Sequence, residues 1–315
     1  MKTTSEERLA IGIDFGGTTI KCVVVGDGKI VRRGEIIDTK TCGDADAIIN
    51  ALTNEVQRLK SPGVCAVGAG LPGFVDSING VVHELSNVSG WKNVPLRYLL
   101  RERTEMTVAI ENDANAMTYA EWKFGAGRNH MNVVCVTLGT GVGGGLILNG
   151  ELYRGSQLGA GELGQMSIDF RGVPGHYGNL GALEKYVGNM QIAERAQKLY
   201  AAAGRAATAS ECTPAALAGA ANGGDAIARG LWRDIGTEIG AALVNVLWLL
   251  NPDAIVIGGG IANAGALLFE SIRQTVETRT SPVFHGHLDI VPAELGNDAG
   301  IIGSATIALD LNKRL

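Results

Sequence analysis

Charge of one sign is not concentrated anywhere in this chain. Its 315 residues carry 27 basic and 32 acidic side chains, a net charge of −5. No basic cluster stands out, which argues against a nucleic-acid surface. Long apolar runs are also lacking. The longest, near Ala241–Leu250, contains Asn245 and is too short to span a bilayer. No apolar signal segment opens the chain, so no membrane association is expected. The five cysteines are scattered, with no CxxC pair. Cys22, Cys65 and Cys135 sit in apolar runs, where a thiol acts as a small hydrophobe. That usage fits a reducing compartment, and a cytoplasmic location is expected.

Two familiar phosphate-binding signatures are missing as well. No G-x-x-x-x-G-K-[ST] occurs, which excludes a P-loop. Gly68-Ala69-Gly70-Leu71-Pro72-Gly73 and Gly139-Thr140-Gly141-Val142-Gly143-Gly144 fit G-x-G-x-x-G by letter. That fingerprint works only between a strand and a helix, so that the helix N-terminus meets the pyrophosphate. Neither segment leads into a helix, and both are rejected as dinucleotide sites.

What the chain has is glycine, 45 residues of it, clustered in turns. One glycine-rich hairpin occurs twice. The first copy runs Ile11-Gly12-Ile13-Asp14-Phe15-Gly16-Gly17-Thr18-Thr19-Ile20-Lys21 and on to Val25. The second runs Val134 to Leu138, through Gly139-Thr140-Gly141, and on to Leu148. Each is followed by a polar turn, Gly26-Asp27-Gly28 or Asn149-Gly150, and a third apolar run. Small residues between strands let backbone N–H groups approach an anion closely. Two such turns on separate halves of the chain suggest a polyphosphate gripped from both sides.

The length favours two domains. Residues 9–37 read as a three-stranded meander. Ile48, Ile49, Leu52, Val56 and Leu59 give Ala45–Lys60 a helical period. Val64–Gly68 is a strand, completing β-β-β-α-β. Leu96–Arg103 reads as a helix, Thr107–Glu111 as a buried strand, and a helix follows through Phe124. The second half repeats the order. Strands occupy about 132–154, and 155–183 is rich in loops. Helices lie near 184–202, 213–221 and 225–250, followed by strand Ala254–Ile257, a helix at about 263–279, strand His287–Val291 and a last helix, Ala299–Asn312.

Asp14 ends an apolar strand beside the first glycine turn. A carboxylate there can hold Mg²⁺, often through water; it can equally cap the turn. Thr18 and Thr140 can donate to phosphate oxygens. Lys21 either adds charge or is a solvated strand residue. Asn112-Asp113 follows a strand directly. An aspartate there can take the proton from a hydroxyl that attacks phosphorus. Asn and Asp also cap helices, and local sequence does not separate the two readings.

These motifs together resemble the ROK family (repressors, open reading frames and sugar kinases) within the actin-like ATPase superfold. The resemblance covers nearly the whole chain. It rests on Asp14-Phe15-Gly16-Gly17-Thr18, Glu111-Asn112-Asp113-Ala114-Asn115-Ala116, Leu138 to Gly145, Gly161-Glu162-Leu163-Gly164 and Gly258-Gly259-Gly260. It implies an α/β fold of two RNase H-like domains around a cleft, the β-β-β-α-β unit being duplicated, one copy in each domain. The boundaries expected are 1–115 and 116–298, with a C-terminal helix at about 299–315 returning to the first domain. The resemblance implies that Asp113 is the base for a sugar 6-hydroxyl, and that Gly73, Asn112, Glu162, Gln165 and Glu184 line the sugar site. Asp14, Gly16, Gly17, Thr18, Lys21, Gly139, Thr140, Gly141, Gly259 and Gly260 would serve ATP, and Asp14 would also serve Mg²⁺. Asn87-Val88-Ser89-Gly90-Trp91 resembles the glucokinase branch. A homodimer is a family-level expectation.

One departure stands out. Most of the family carry a histidine and three cysteines here that bind structural zinc. This chain has Gln165, Gly175, Tyr177 and Ala182 at those positions. No thiolate remains, so no zinc is expected, and packing, with Tyr177 a candidate, would hold the loop. The function implied is an ATP-dependent hexokinase, foremost a glucokinase. The alternatives are an N-acetylglucosamine or N-acetylmannosamine kinase, a polyphosphate-dependent glucokinase and, lower, a sugar-responsive transcription regulator. The strand holding Asp14 begins near Ile11, which leaves little chain before it for the regulator's DNA-binding domain.

Overall fold

A computed structural model describes residues 8–85 and 88–314. Asn87, the first residue of the glucokinase-like stretch, lies outside the described residues. The chain divides into two compact units. The first comprises residues 1–128, 152–160 and 297–315; the second comprises 129–151 and 161–296.

In the first unit the hairpin Leu9–Phe15 and Thr19–Gly26 pairs antiparallel, and Lys29–Arg33 adds to it. Asp27 and Gly28, at φ 46° and 70°, form the turn between the last two strands. Positive φ at both central residues matches the right-handed twist of the strands. Val64–Leu71 then pairs parallel with Leu9–Phe15, and Thr107–Asn112 pairs parallel with Val64–Leu71. The helix Ala45–Leu59 starts on Asp44, whose side chain accepts from Ala47 N at 2.9 Å. Its face of Ile48, Ile49, Leu52, Val56 and Leu59 is buried in the core. Val75–Asp76, Val81–Glu84 and Lys92–Val94 form a small antiparallel sheet.

The C-terminal helix Ala299–Arg314 packs within this first unit. Glycine permits the approach. A Cβ at Gly68 would overlap the Ser304 carbonyl, and one at Gly303 would overlap that of Ala116. Gly68 and Gly70 therefore lie inside a strand, Val64–Leu71, which runs past the expected end at Gly68. Partners on both sides keep that strand extended. A boundary at 115/116 falls inside the helix Asp113–Phe124, and the first unit continues to Arg128.

The second unit repeats the plan. Val133–Leu138 pairs antiparallel with Val142–Leu148 and parallel with Ala254–Gly258, which pairs parallel with Asp289–Pro292. Asn149 and Gly150, at φ 53° and 74°, reproduce the polar turn of the first copy. The short strand Glu151–Tyr153 carries the chain from the second unit into the first. The long helix Ala226–Leu250 is capped by Asp225 and ends on Asn251 in the left-handed region. The helix expected at 184–202 is split into Glu184–Val187 and Asn189–Ala202, because Gly188 is extended at φ −75°, ψ 158°. A 3₁₀ turn, Gly260–Ala264, precedes the helix Ala266–Arg279. Among the described residues, no helix is long and apolar enough to cross a membrane.

Candidate active site

In the first unit three parallel strands end at one level. Asp14 is in register with Gly70, Gly70 with Glu111, and Leu71 with Asn112. Two strand spacings put the backbones of Asp14 and Glu111 about 10 Å apart. Gly70 stands between them without a side chain. A Cβ there would lie 3.8 Å from Asp113 Cα. Asp14 and Asp113 thus lie at the same end of these strands, on either side of Gly70.

Asn112 takes the capping role. Its Oδ1 accepts from Ala114 N and Asn115 N at 2.9 and 3.1 Å, which caps the helix. Its Nδ2 donates to the Gly73 carbonyl at 3.1 Å. Gly73, at φ 79°, is thereby fixed beside the catalytic candidate. Asp113 opens the helix exposed, with Oδ1 accepting from Ala114 N at 2.8 Å.

Sequence reasoning missed the group beneath this pair. Glu111 is 2% exposed. Its Oε2 accepts from Arg154 Nε at 2.7 Å and lies 2.7 Å from Arg154 Nη2. Its Oε1 accepts from Asn112 N and Asn115 Nδ2, each at 3.1 Å. The strand end that carries Asn112 and Asp113 is therefore anchored by a saturated buried carboxylate. A glutamate closing an apolar strand was a readable signal; its partner, far along the chain, left none.

Burial raises the pKa of Asp14; facing Lys21 opposes the shift, and the Asp298 carboxylate adds to it. Asp298, the residue before the C-terminal helix, was also missed. Gly16 N donates to Thr19 O at 3.0 Å, closing the first glycine turn. Gly17 and Thr18 are exposed on it, and a Cβ on Gly17 would meet nothing within 4 Å. Lys21 is exposed. A half-buried carboxylate beside an open turn fits Mg²⁺, which needs few protein oxygens and keeps much of its water.

In the second unit the glycine turn is closed by Gly139 N donating to Gly141 O at 3.0 Å, with Thr140 exposed. Glu184 lies against it: a Cβ on Gly141 would be 3.4 Å from Glu184 Oε2. Gly259, at φ 86°, packs on the peptide of Leu138, where any Cβ would overlap the carbonyl. Gly259 therefore sits beside the second turn, with Gly260 exposed next to it. Glu162 and Gln165 bracket a 3₁₀ turn closed by Gln165 N donating to Glu162 O at 3.0 Å. Burial raises the pKa of Glu162, and the charge of Glu184 adds to the shift. Glu162, Glu184 and the second glycine turn thus form one group.

Gln165, Gly175, Tyr177 and Ala182 offer one amide and one phenol, which does not fit zinc. Tyr177 does not hold the loop. It is 68% exposed, its ring edge-on to that of His176 with centroids 4.9 Å apart. Main-chain hydrogen bonds close the loop instead, because its turns bring opposing peptides together.

The chain is 35% identical to the glucokinase of Thermotoga maritima over 309 residues, covering 94% of this chain and 96% of that one. A ROK family glucokinase from Streptomyces griseus, solved with glucose and AMPPNP, superposes with a TM-score of 0.78 at 30% identity, covering 96% and 99% of the two chains. The xylose repressor of Bacillus spizizenii is 29% identical over 306 residues, covering 96% of this chain and 77% of the repressor. The ROK family model matches residues 10–311, and the two units carry the doubled strand order of the actin-like ATPase fold. The chain belongs to the ROK family.

Proposed function

We propose that this protein is an ATP-dependent hexose kinase of glucokinase type. The observation that carries the reading is Asp113, exposed just past the end of strand Thr107–Asn112, with side-chain-free Gly70 between that strand and Asp14. The similarity to glucokinases over nearly the full chain supports it.

Asp113 takes the proton from the sugar 6-hydroxyl as that oxygen attacks the γ-phosphorus in line. Asn112 orients a neighbouring hydroxyl, and its bond to Gly73 fixes both. Glu162, Gln165 and Glu184 accept or donate to the remaining hydroxyls. The turns at Gly16–Thr18 and Gly139–Gly141 present backbone N–H groups to the phosphates, with Lys21 adding charge, and Gly259–Gly260 meet the adenosine. Asp14 would hold Mg²⁺, which when bound offsets phosphate charge.

The test is a panel of glucose, mannose, fructose, N-acetylglucosamine and N-acetylmannosamine, each offered with ATP and with polyphosphate. Glucose with ATP is expected to give the highest kcat/KM. Asp113→Asn is expected to lose roughly 10²–10⁴ in kcat, the usual range for a general base, while sugar affinity stays within a few-fold. Turnover of no sugar would defeat the kinase reading and favour a sugar-binding regulator, as the repressor relatives suggest.

A further inference from the structure

The loop between Glu162 and Glu184 departs from the zinc-binding pattern, and hydrogen bonds stitch it. Leu183 N donates to Met166 O at 2.9 Å, Ile168 N to Gly181 O at 2.9 Å, and Gly181 N to Val173 O at 2.8 Å. Ser167 Oγ donates to Leu180 O at 2.6 Å, and the Tyr186 hydroxyl accepts from Val173 N at 3.2 Å.

Asn179 stands where these strands of loop meet. Its Nδ2 donates to the main-chain carbonyl of Gln165 at 2.5 Å. Its own carbonyl accepts from Gly175 N at 2.7 Å. Its Oδ1 is buried and occupies the space that a side chain at 175 would enter. A Cβ on Gly175 would lie 2.6 Å from that oxygen and 2.7 Å from Ala182 Cβ. Positions 165, 175 and 182 therefore converge on one amide. A side chain at 175 and the Asn179 amide exclude each other.

We propose that Asn179 is a positioning residue: its amide makes the cross-link that a metal would otherwise make in this loop, and so presents Gln165 to the acceptor sugar. The functional half rests on the kinase reading above. Gln165 is held on both sides, its N–H on Glu162 O and its carbonyl on Asn179. Its Oε1 is buried without a protein donor, an acceptor suited to a sugar hydroxyl. Removing the Asn179 donor frees the turn, and sugar binding must then order it. The cost falls on sugar affinity. The phosphate turns and Asp113 are untouched.

The experiment compares Asn179→Ala, Asn179→Asp and Gly175→Ala with the wild type. Asn179→Asp keeps the shape and loses the donor, so it carries the test if the alanine variant does not fold. Each variant is expected to raise the sugar KM about tenfold, with kcat within threefold and the ATP KM unchanged. Gly175→Ala combined with Asn179→Ala is expected to be no worse than Asn179→Ala alone, since both break one contact. Hydrogen exchange supplies a readout independent of turnover: the amides of Leu163 to Met166 should exchange faster in the variants. An unchanged sugar KM together with unchanged exchange overturns the proposal. So does a fall in kcat alone, or additive damage in the double variant. If the wild type phosphorylates no sugar, the kinase reading fails while exchange still decides the cross-link.

Discussion

Replacing Arg154 by methionine tests the anchoring of the catalytic strand end. The substitution keeps an unbranched stem as far as the Nε position and removes the charge and donors. Glu111 would then remain 2% exposed with nothing donating to Oε2, where two guanidinium nitrogens now sit at 2.7 Å. Breaking one partner out of a buried ion pair costs about 3–5 kcal/mol. For a domain of this size that corresponds to a fall in Tm of roughly 6–20 °C. The effect should reach catalysis too. Glu111 Oε1 also holds Asn112 N and Asn115 Nδ2. A carboxylate that swings toward water releases both, and Asp113 loses its register. A displacement near 1 Å at a reacting group is worth on the order of a hundredfold in rate. Scanning calorimetry and steady-state kinetics measure the two effects. Glu111→Gln in the Arg154→Met background removes the stranded charge and should recover part of the Tm. The reasoning fails if Arg154→Met melts within about 2 °C of the wild type, or if the double variant melts lower than the single.

Asp14→Asn should stabilise the nucleotide-free protein at neutral pH while abolishing turnover. Its folded pKa lies above the ordinary 3.8, mainly through burial, so the folded state binds the proton more tightly. Stability contributed by that proton is present at low pH and is lost as pH rises from 3.8 through the folded value. The Tm gain of Asp14→Asn should therefore vanish below about pH 4 and be complete at neutral pH, in a melting series without Mg²⁺; a gain independent of pH contradicts this. Exhaustive treatment with a zinc chelator, followed by Mg²⁺, should leave full activity. Activity regained only on adding zinc would refute the assignment of a metal-free loop.

Much of the fold could be read directly. Both glycine hairpins, their polar turns, the helix at 45–59 and the duplicated order rest on local periodicity and turn chemistry, which a short window of sequence contains. The candidate residues Asp14, Asn112, Asp113 and the glycine turns were legible for the same reason: each sits at a strand end marked by an abrupt change from apolar to small or polar residues. The end of Val64–Leu71 was misjudged because glycine reads locally as a breaker. Only the facing helix Ala299–Arg314 explains why glycine is needed inside that strand.

The sequence by itself determined most of the elements and which residue types could handle phosphate and a hydroxyl proton. It also determined that no thiolate remains for zinc, since ligand chemistry is written in residue identity. The tertiary structure decided what is joined across long stretches of chain. It set Gly70 between Asp14 and Asp113, closed Arg154 on Glu111, packed Gly259 on Leu138 and placed the Asn179 amide among positions 165, 175 and 182. These contacts depend on strand order and on small residues permitting close approach, and neither has a signature within one local segment.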